Sequence, residues 1–155
     1  YTTMFMNYST IAAGTFALAP VLSILFFSKL KQNKKITKVA LAPAIFNISE
    51  PITFGLPIIL NPIYFIPFII VQPLCFYIAV FFTKIGFIPV VCNNVPWTVP
   101  PIISGILFTG TIAGGLVQLI NLVISMAIYY PFVELADKMD LDKMTEIENF
   151  EAVET

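Results

Sequence analysis

Between Val39 and Val133 the chain has a single acidic side chain, Glu50, set in the run Asn47-Ile-Ser-Glu50-Pro51. An acid within a long apolar stretch costs about 2.5–3.5 kcal/mol to insert at a bilayer centre, and such residues mark pathways or ligand sites. A carboxylate accepts hydrogen bonds from several directions. That suits the hydroxyl groups of a sugar, and equally a translocated cation or proton. The bland alternative is a carboxylate tied off by a base such as Lys84 or by neighbouring amides. Asn47 and Ser49 share the segment and can bind polar ligands, as can Asn61, Asn93 and Asn94. Each of these types also serves as a helix cap or turn residue. Trp97 offers an indole face for the apolar side of a pyranose ring, or alternatively a place in an interfacial aromatic belt.

Nucleophilic catalysis is hard to build from this inventory. The chain has no His to activate a Ser or Cys, and one acid cannot form a carboxylate pair. Cys75 and Cys92 lack the spacing of a metal or redox motif, and Cys75 within an apolar run behaves as a small hydrophobe. No metal and no cofactor is expected.

Prolines and apolar runs define the elements that must carry these residues. Met4 to Ser28 is long enough to cross a hydrocarbon core of about 30 Å. Its first half carries a small, polar face of Asn7, Ser9, Thr10, Gly14 and Thr15, suited to close packing or to lining a cavity. Val39 to Leu60 contains Pro43, Pro51 and Pro57, which makes a straight span improbable. Backbone breaks at membrane depth persist where they are buried in protein or line an aqueous cavity. The expected form is a re-entrant hairpin: a helix to about Phe46, a turn around Ser49 to Pro51, then a return leg. Because a residue before proline is pushed from the α region, Glu50 should sit at the break itself. Pro62 to Thr83 reads as a span kinked near Pro67 and Pro73, closed by Lys84 at the interface. Ile85 to Pro101 reads as a loop. Ile102 to Val133 would measure about 48 Å as one helix, so Gly105, Gly110, Gly114 and Gly115 predict a break between a hairpin leg and a last span. Tyr129 and Tyr130 are expected in an aromatic belt.

The fold class that follows is an all-α integral membrane protein. Its spans lie at about 4–28, 62–83 and 116–133, with two re-entrant hairpins at about 39–60 and 88–112. Composition agrees: 58% of the 155 residues are hydrophobic and 11% charged, with a mean hydropathy of +0.90, against about 25% charged in soluble domains. Net charge of −1 says little because the charges are segregated. Lys29, Lys31, Lys34, Lys35 and Lys38 form a basic loop between apolar blocks, which places it in the cytoplasm rather than on a nucleic acid. Residues 134–155 form an acidic cytoplasmic tail, either a short surface helix or disordered. No signal peptide is read at the N-terminus. Tyr1 is not a start residue, so the chain is expected to be the C-terminal part of something longer.

Two stretches carry a resemblance. Residues 46–68 read Phe-Asn-Ile-Ser-Glu-Pro-Ile-Thr-Phe-Gly-Leu-Pro-Ile-Ile-Leu-Asn-Pro-Ile-Tyr-Phe-Ile-Pro-Phe, and residues 95–105 read Val-Pro-Trp-Thr-Val-Pro-Pro-Ile-Ile-Ser-Gly. Together they closely resemble the lactose/cellobiose/diacetylchitobiose class of IIC components, the membrane permeases of the bacterial phosphoenolpyruvate-dependent sugar phosphotransferase system. The similarity runs from about Phe5 to Phe132. It implies a multi-pass permease of the bacterial cell membrane, homodimeric through its N-terminal half, whose C-terminal transport half is the part seen here. The implied ligand is a β-linked disaccharide, and the implied partners are phosphorylated IIB, with IIA, and the lipid bilayer. The acid of the Asn-Ile-x-Glu-Pro motif, matching Glu50, is implied to contact the sugar near its 6-hydroxyl, and the tryptophan matching Trp97 to pack against the sugar. On this reading Glu50 has the catalytic role, orienting the hydroxyl and accepting its proton. The phosphoryl group comes from a phosphocysteine of IIB, so no covalent intermediate forms on this chain.

Two departures stand out. The family uses a histidine near the 6-hydroxyl, upstream of the matched region, and this chain has none. Where the family has a Gly-Gly-Ser-Gly-type run after an asparagine, this chain reads Asn7-Tyr-Ser-Thr-Ile-Ala-Ala-Gly14. An ion- or proton-coupled secondary transporter would share the broken helices and the buried acid. A membrane anchor without substrate would leave the acid unexplained.

Overall fold

The computed structural model describes residues 8–153 except 13, 57, 59, 60 and 92, with side chains described as far as Thr145. Asn7, Pro57 and Cys92 of the sequence reading lie outside the described residues. The helices are α1 (Leu18–Phe27), α2 (Lys31–Ile45), α3 (Glu50–Gly55), α4 (Pro62–Lys84), α5 (Ile103–Thr109) and α6 (Ile112–Val153), preceded by a helical segment at 8–12. No strand occurs among the described residues.

Helix α6 is the spine, packing against α1, α4 and α5, while α2 packs on α1 and α3 on α2. Two helices are long and apolar enough to cross a membrane, Pro62–Lys84 and Ile112–Thr145. Their outer faces expose large apolar side chains, among them Phe65, Ile66, Ile69, Ile70, Phe81, Ile112 and Val123. Hydrocarbon, unlike water, imposes no penalty on such a surface.

Several elements differ from the expectation. The first block is not one uninterrupted helix, because residues 14–17 form turns before α1. Pro20, in the first turn of α1, has no N–H to offer the carbonyl of Phe16. The basic segment is helical from Lys31, so Lys31, Lys34, Lys35 and Lys38 lie in α2 rather than in a loop, and Lys29 alone precedes it; Lys is a good helix former. The acidic tail continues α6 to Val153, rich in Leu, Met, Ala, Glu and Lys and carrying a Glu134–Lys138 ion pair at 3.7 Å. Helix α4 runs continuously through Pro67 and Pro73. Its start is set by Asn61, whose side chain accepts from the Ile63 N–H at 3.0 Å, with Pro62 in the first turn. Asn61 is therefore a cap. Tyr129 is buried against α4 and α1 residues rather than in a belt, whereas the exposed Tyr130 meets Phe27 edge-on at 5.0 Å.

The junction of α1 and α2 is locked to α6 by Asp137, a carboxylate only 2% exposed. It accepts from the Ser28 hydroxyl at 2.9 Å and from the Lys29 N–H, while the same hydroxyl accepts from the Leu30 N–H at 3.2 Å.

Candidate functional site

The break between α2 and α3 is built by a left-handed cap. Ile48 N–H donates to the Pro43 carbonyl at 3.0 Å and Asn47 N–H to the Ala44 carbonyl at 3.0 Å. This is the paired bonding of a Schellman motif. The first residue past the cap in such a motif must adopt positive φ, and Asn47 does so at φ 62°. Asparagine tolerates that region better than most residues because its short amide bonds locally. The chain then turns into α3, where Ser49's carbonyl accepts from Ile52 N–H, Thr53 N–H and the Thr53 hydroxyl at 3.2, 2.9 and 2.8 Å. The break therefore lies at Asn47–Ser49, and Glu50 is the first residue of α3 rather than the break itself. Proline in an opening turn needs no N–H partner, so Pro51 permits helix immediately after Glu50.

The second wall comes from the irregular segment between α4 and α5. Asn47's Nδ2 donates to the Trp97 carbonyl at 3.2 Å, joining the two segments. Asn93's Nδ2 donates to the Leu107 carbonyl at 3.0 Å and anchors the same segment to α5; Asn94 is exposed and does not line the cleft. Trp97 is 57% exposed, with Pro96 on one side and Pro100 and Pro101 beyond.

Between these walls lies an open cleft of about 340 Å³ lined by Ser9, Thr10, Phe16, Asn47, Ser49, Glu50, Gln72 and Trp97. All of Asn47, Ser49, Glu50 and Trp97 thus reach one space from positions far apart in the chain. The volume is within the range of small-molecule sites. Ser9 and Thr10 realise the polar face of the first block, while Phe16 and Gln72 were not singled out in the sequence. A legible signal existed for Gln72, a lone amide in an otherwise apolar span. A neighbouring hollow of about 300 Å³, lined by Ser9, Ala12, Gln72, Pro73, Phe76 and Tyr77, shares Ser9 and Gln72 with the cleft.

The cleft is rich in hydrogen-bond acceptors. Asn47 Oδ1 and Gln72 Oε1 are both buried without a hydrogen-bond partner, an arrangement that is costly unless a ligand or water supplies the donor. Among the described residues the Glu50 carboxylate has no salt bridge, and the Lys84 ammonium stands at the far end of α4. The chemistry displayed is a set of hydrogen-bond acceptors, one of them a carboxylate, beside one tryptophan, which suits a ligand bearing several hydrogen-bond donors. No cluster of three or more Cys, Asp or Glu side chains suited to a metal ion occurs among the described residues. Cys75 is buried between hydroxyls, 3.3 Å from Ser125 Oγ and 4.0 Å from Thr15 Oγ1, away from the cleft.

Fold and cleft together fit a helical membrane component with a candidate polar small-molecule site. The family model described as "Phosphotransferase system, EIIC" matches residues 1–71. The chain is 42% identical over 145 residues to the oligo-beta-mannoside-specific EIIC component of Bacillus subtilis, covering 92% of this chain and 33% of that protein. It is also 42% identical over 130 residues to the cellobiose-specific EIIC component of Lactococcus lactis, covering 83% of this chain and 26% of the relative. The crystal structure of the transporter ChbC, the IIC component of the N,N′-diacetylchitobiose-specific phosphotransferase system, superposes with a TM-score of 0.82 at 34% identity, over 92% of this chain and 34% of that one. The chain thus carries a phosphotransferase EIIC domain match over residues 1–71 and is similar to EIIC components, which are membrane proteins, over most of its length. It spans between about a quarter and a third of the length of the relatives it matches.

Proposed function

We propose that this chain is the sugar-translocating part of a phosphotransferase permease, binding a β-linked disaccharide of the cellobiose, diacetylchitobiose or lactose type in the cleft around Glu50. The observation that carries the reading is the convergence of Asn47, Ser49, Glu50 and Trp97 on one acceptor-rich cleft. The substrates named for the relatives, oligo-β-mannosides, cellobiose and diacetylchitobiose, carry many hydroxyl donors, which suits an acceptor-rich cleft. Glu50 orients the 6-hydroxyl and accepts its proton as phosphorylated IIB, itself charged through IIA, delivers the phosphoryl group. Trp97 packs against the pyranose ring, and Asn47 and Ser49 bond its hydroxyls.

In the same reading, residues 4–28, 62–83 and 116–133 cross the bilayer, 39–60 and 88–112 form re-entrant hairpins, and 134–155 lies in the cytoplasm with the lysines of 29–38. The first hairpin is supported by the α2–turn–α3 geometry, and the second by the irregular Trp97 segment followed by short α5. The complete permease is a homodimer.

The test uses the full-length permease with its IIA and IIB partners in membrane vesicles. Glu50→Gln is expected to abolish sugar uptake and phosphorylation. Wild-type uptake by that variant would sink the reading.

A further inference from the structure

Gln118 of α6 is wholly buried, and no part of the proposed chemistry uses it. Its Oε1 accepts from the Ile102 N–H at 2.7 Å and the Gly105 N–H at 2.8 Å, and lies 3.1 Å from the Ser104 hydroxyl. Its Nε2 donates to the Ile11 carbonyl at 3.2 Å and lies 3.0 Å from the same hydroxyl. One amide therefore ties three separate pieces of chain: α6, the start of α5 and the helical segment 8–12.

Those pieces are the supports of the cleft. Ile11 follows directly on Ser9 and Thr10, which line it. Ile102 follows Trp97 through Pro100 and Pro101, a connection with little freedom in φ. Ile102 itself sits at φ 72°, a region β-branched residues avoid, and its N–H makes the shortest of the Gln118 bonds. The frame closes on the other side through the Asn47 amide on the Trp97 carbonyl. Room for the amide is provided by two glycines. A Cβ on Gly14 would stand 2.6 Å from Nε2, and one on Gly105 would stand 2.8 Å from Oε1.

We infer that Gln118 is the positioning residue of the cleft: by holding the Ile11 carbonyl and the Ile102 and Gly105 amides on one side chain, it sets the separation between the Ser9–Thr10 wall and the Trp97 segment, and so the affinity for sugar, without touching the ligand. The inference rests on the reading of the cleft as the sugar site. Gln118→Met keeps the length and packing but removes every one of these bonds. Gly14→Ala instead presses on Nε2 from the segment that precedes α1.

The experiment measures uptake kinetics of the full-length permease in vesicles supplied with IIA and IIB. The probe is whichever of cellobiose, lactose and diacetylchitobiose the wild type takes up at lowest KM. Loss of a merely structural contact lowers the amount of folded permease, and with it the maximal rate, but leaves KM unchanged. Loss of positioning raises KM instead. Gln118→Met and Gly14→Ala are each expected to raise KM about tenfold, with the maximal rate per folded permease within about twofold. In a Gln118→Ala background, where space opens opposite Gly14, adding Gly14→Ala is expected to raise KM no further. A wild-type KM for Gln118→Met overturns the inference; should that variant fail to accumulate, a wild-type KM for Gly14→Ala does so. Glu50→Gln and Trp97→Ala, run in parallel, separate the two failures. If both transport normally, the cleft is not the sugar site. If both are impaired while the Gln118 and Gly14 variants keep the wild-type KM, only the positioning role is lost.

Discussion

The side-chain amide of Asn47 donates to the backbone carbonyl of Trp97 at 3.2 Å, so the cap that ends α2 also holds the opposite wall of the cleft. The two duties of Asn47 separate by substitution. Asn47→Gly keeps the positive φ at no steric cost and removes only the bond, whereas Asn47→Ala removes the bond and strains the backbone. In thermal unfolding of the full-length protein, Asn47→Gly is expected to lose about 1 kcal/mol. Asn47→Ala should lose roughly 1 kcal/mol more, from the left-handed conformation. Equal losses for the two would show that the cap geometry contributes nothing.

Trp97 presents its ring to the cleft from a proline-bounded turn and is more than half exposed. On the proposed reading it contributes to ligand binding, and its exposure leaves it little part in the core. Calorimetric titration with disaccharide is expected to show about tenfold weaker binding for Trp97→Ala and a much smaller loss for Trp97→Phe, which keeps a flat aromatic face. The melting temperature without sugar should stay at the wild-type value in both.

Asp137 makes the opposite prediction, stability without specificity. Replacing it by Ala leaves the Ser28 hydroxyl and the Lys29 N–H without their acceptor at a packed junction. The expected cost is about 2–3 kcal/mol, against about 1 kcal/mol for Ser28→Ala, read as shifts in thermal unfolding. Because the two share one bond, the double variant should lose less than the sum.

The glycines divide by cause. A Cβ on Gly114 would fall 2.1 Å from the Thr109 hydroxyl oxygen and 2.3 Å from the Gly105 carbonyl oxygen. Gly114→Ala must then push α5 away from α6, an overpacking cost of about 1–3 kcal/mol. Gly86 faces open space but holds φ +78°, so Gly86→Ala is expected to cost only about 1 kcal/mol, from the backbone alone. Chemical or thermal denaturation that ranked Gly86→Ala as the more damaging would contradict the close α5–α6 approach.

Much of this was legible before folding. Charge segregation placed the apolar blocks, and Asn61-Pro62 marked the start of α4 because a capping amide before proline is a local signal. The proline spacing around Asn47–Pro51 marked a break, because a ring that removes an N–H acts wherever it occurs. What misled was equally local. Glu50 precedes a proline, yet it opens a helix because that proline falls in the first turn, and the lysines expected as a loop are sound helix formers and enter α2.

The sequence by itself determined the two long apolar helices, the break between α2 and α3 and the chemical types available to the cleft, since hydropathy, ring constraint and side-chain identity are properties of neighbouring residues. Only the tertiary structure decided that Gln72 and Ser9 join Glu50, that Trp97 hangs on Asn47, and that Gln118 reaches Ile11 and Ile102. The reason is physical. A buried amide is obliged to find partners, but its own sequence neighbours are apolar, so which carbonyl and which N–H satisfy it is settled by the helices that pack beside it.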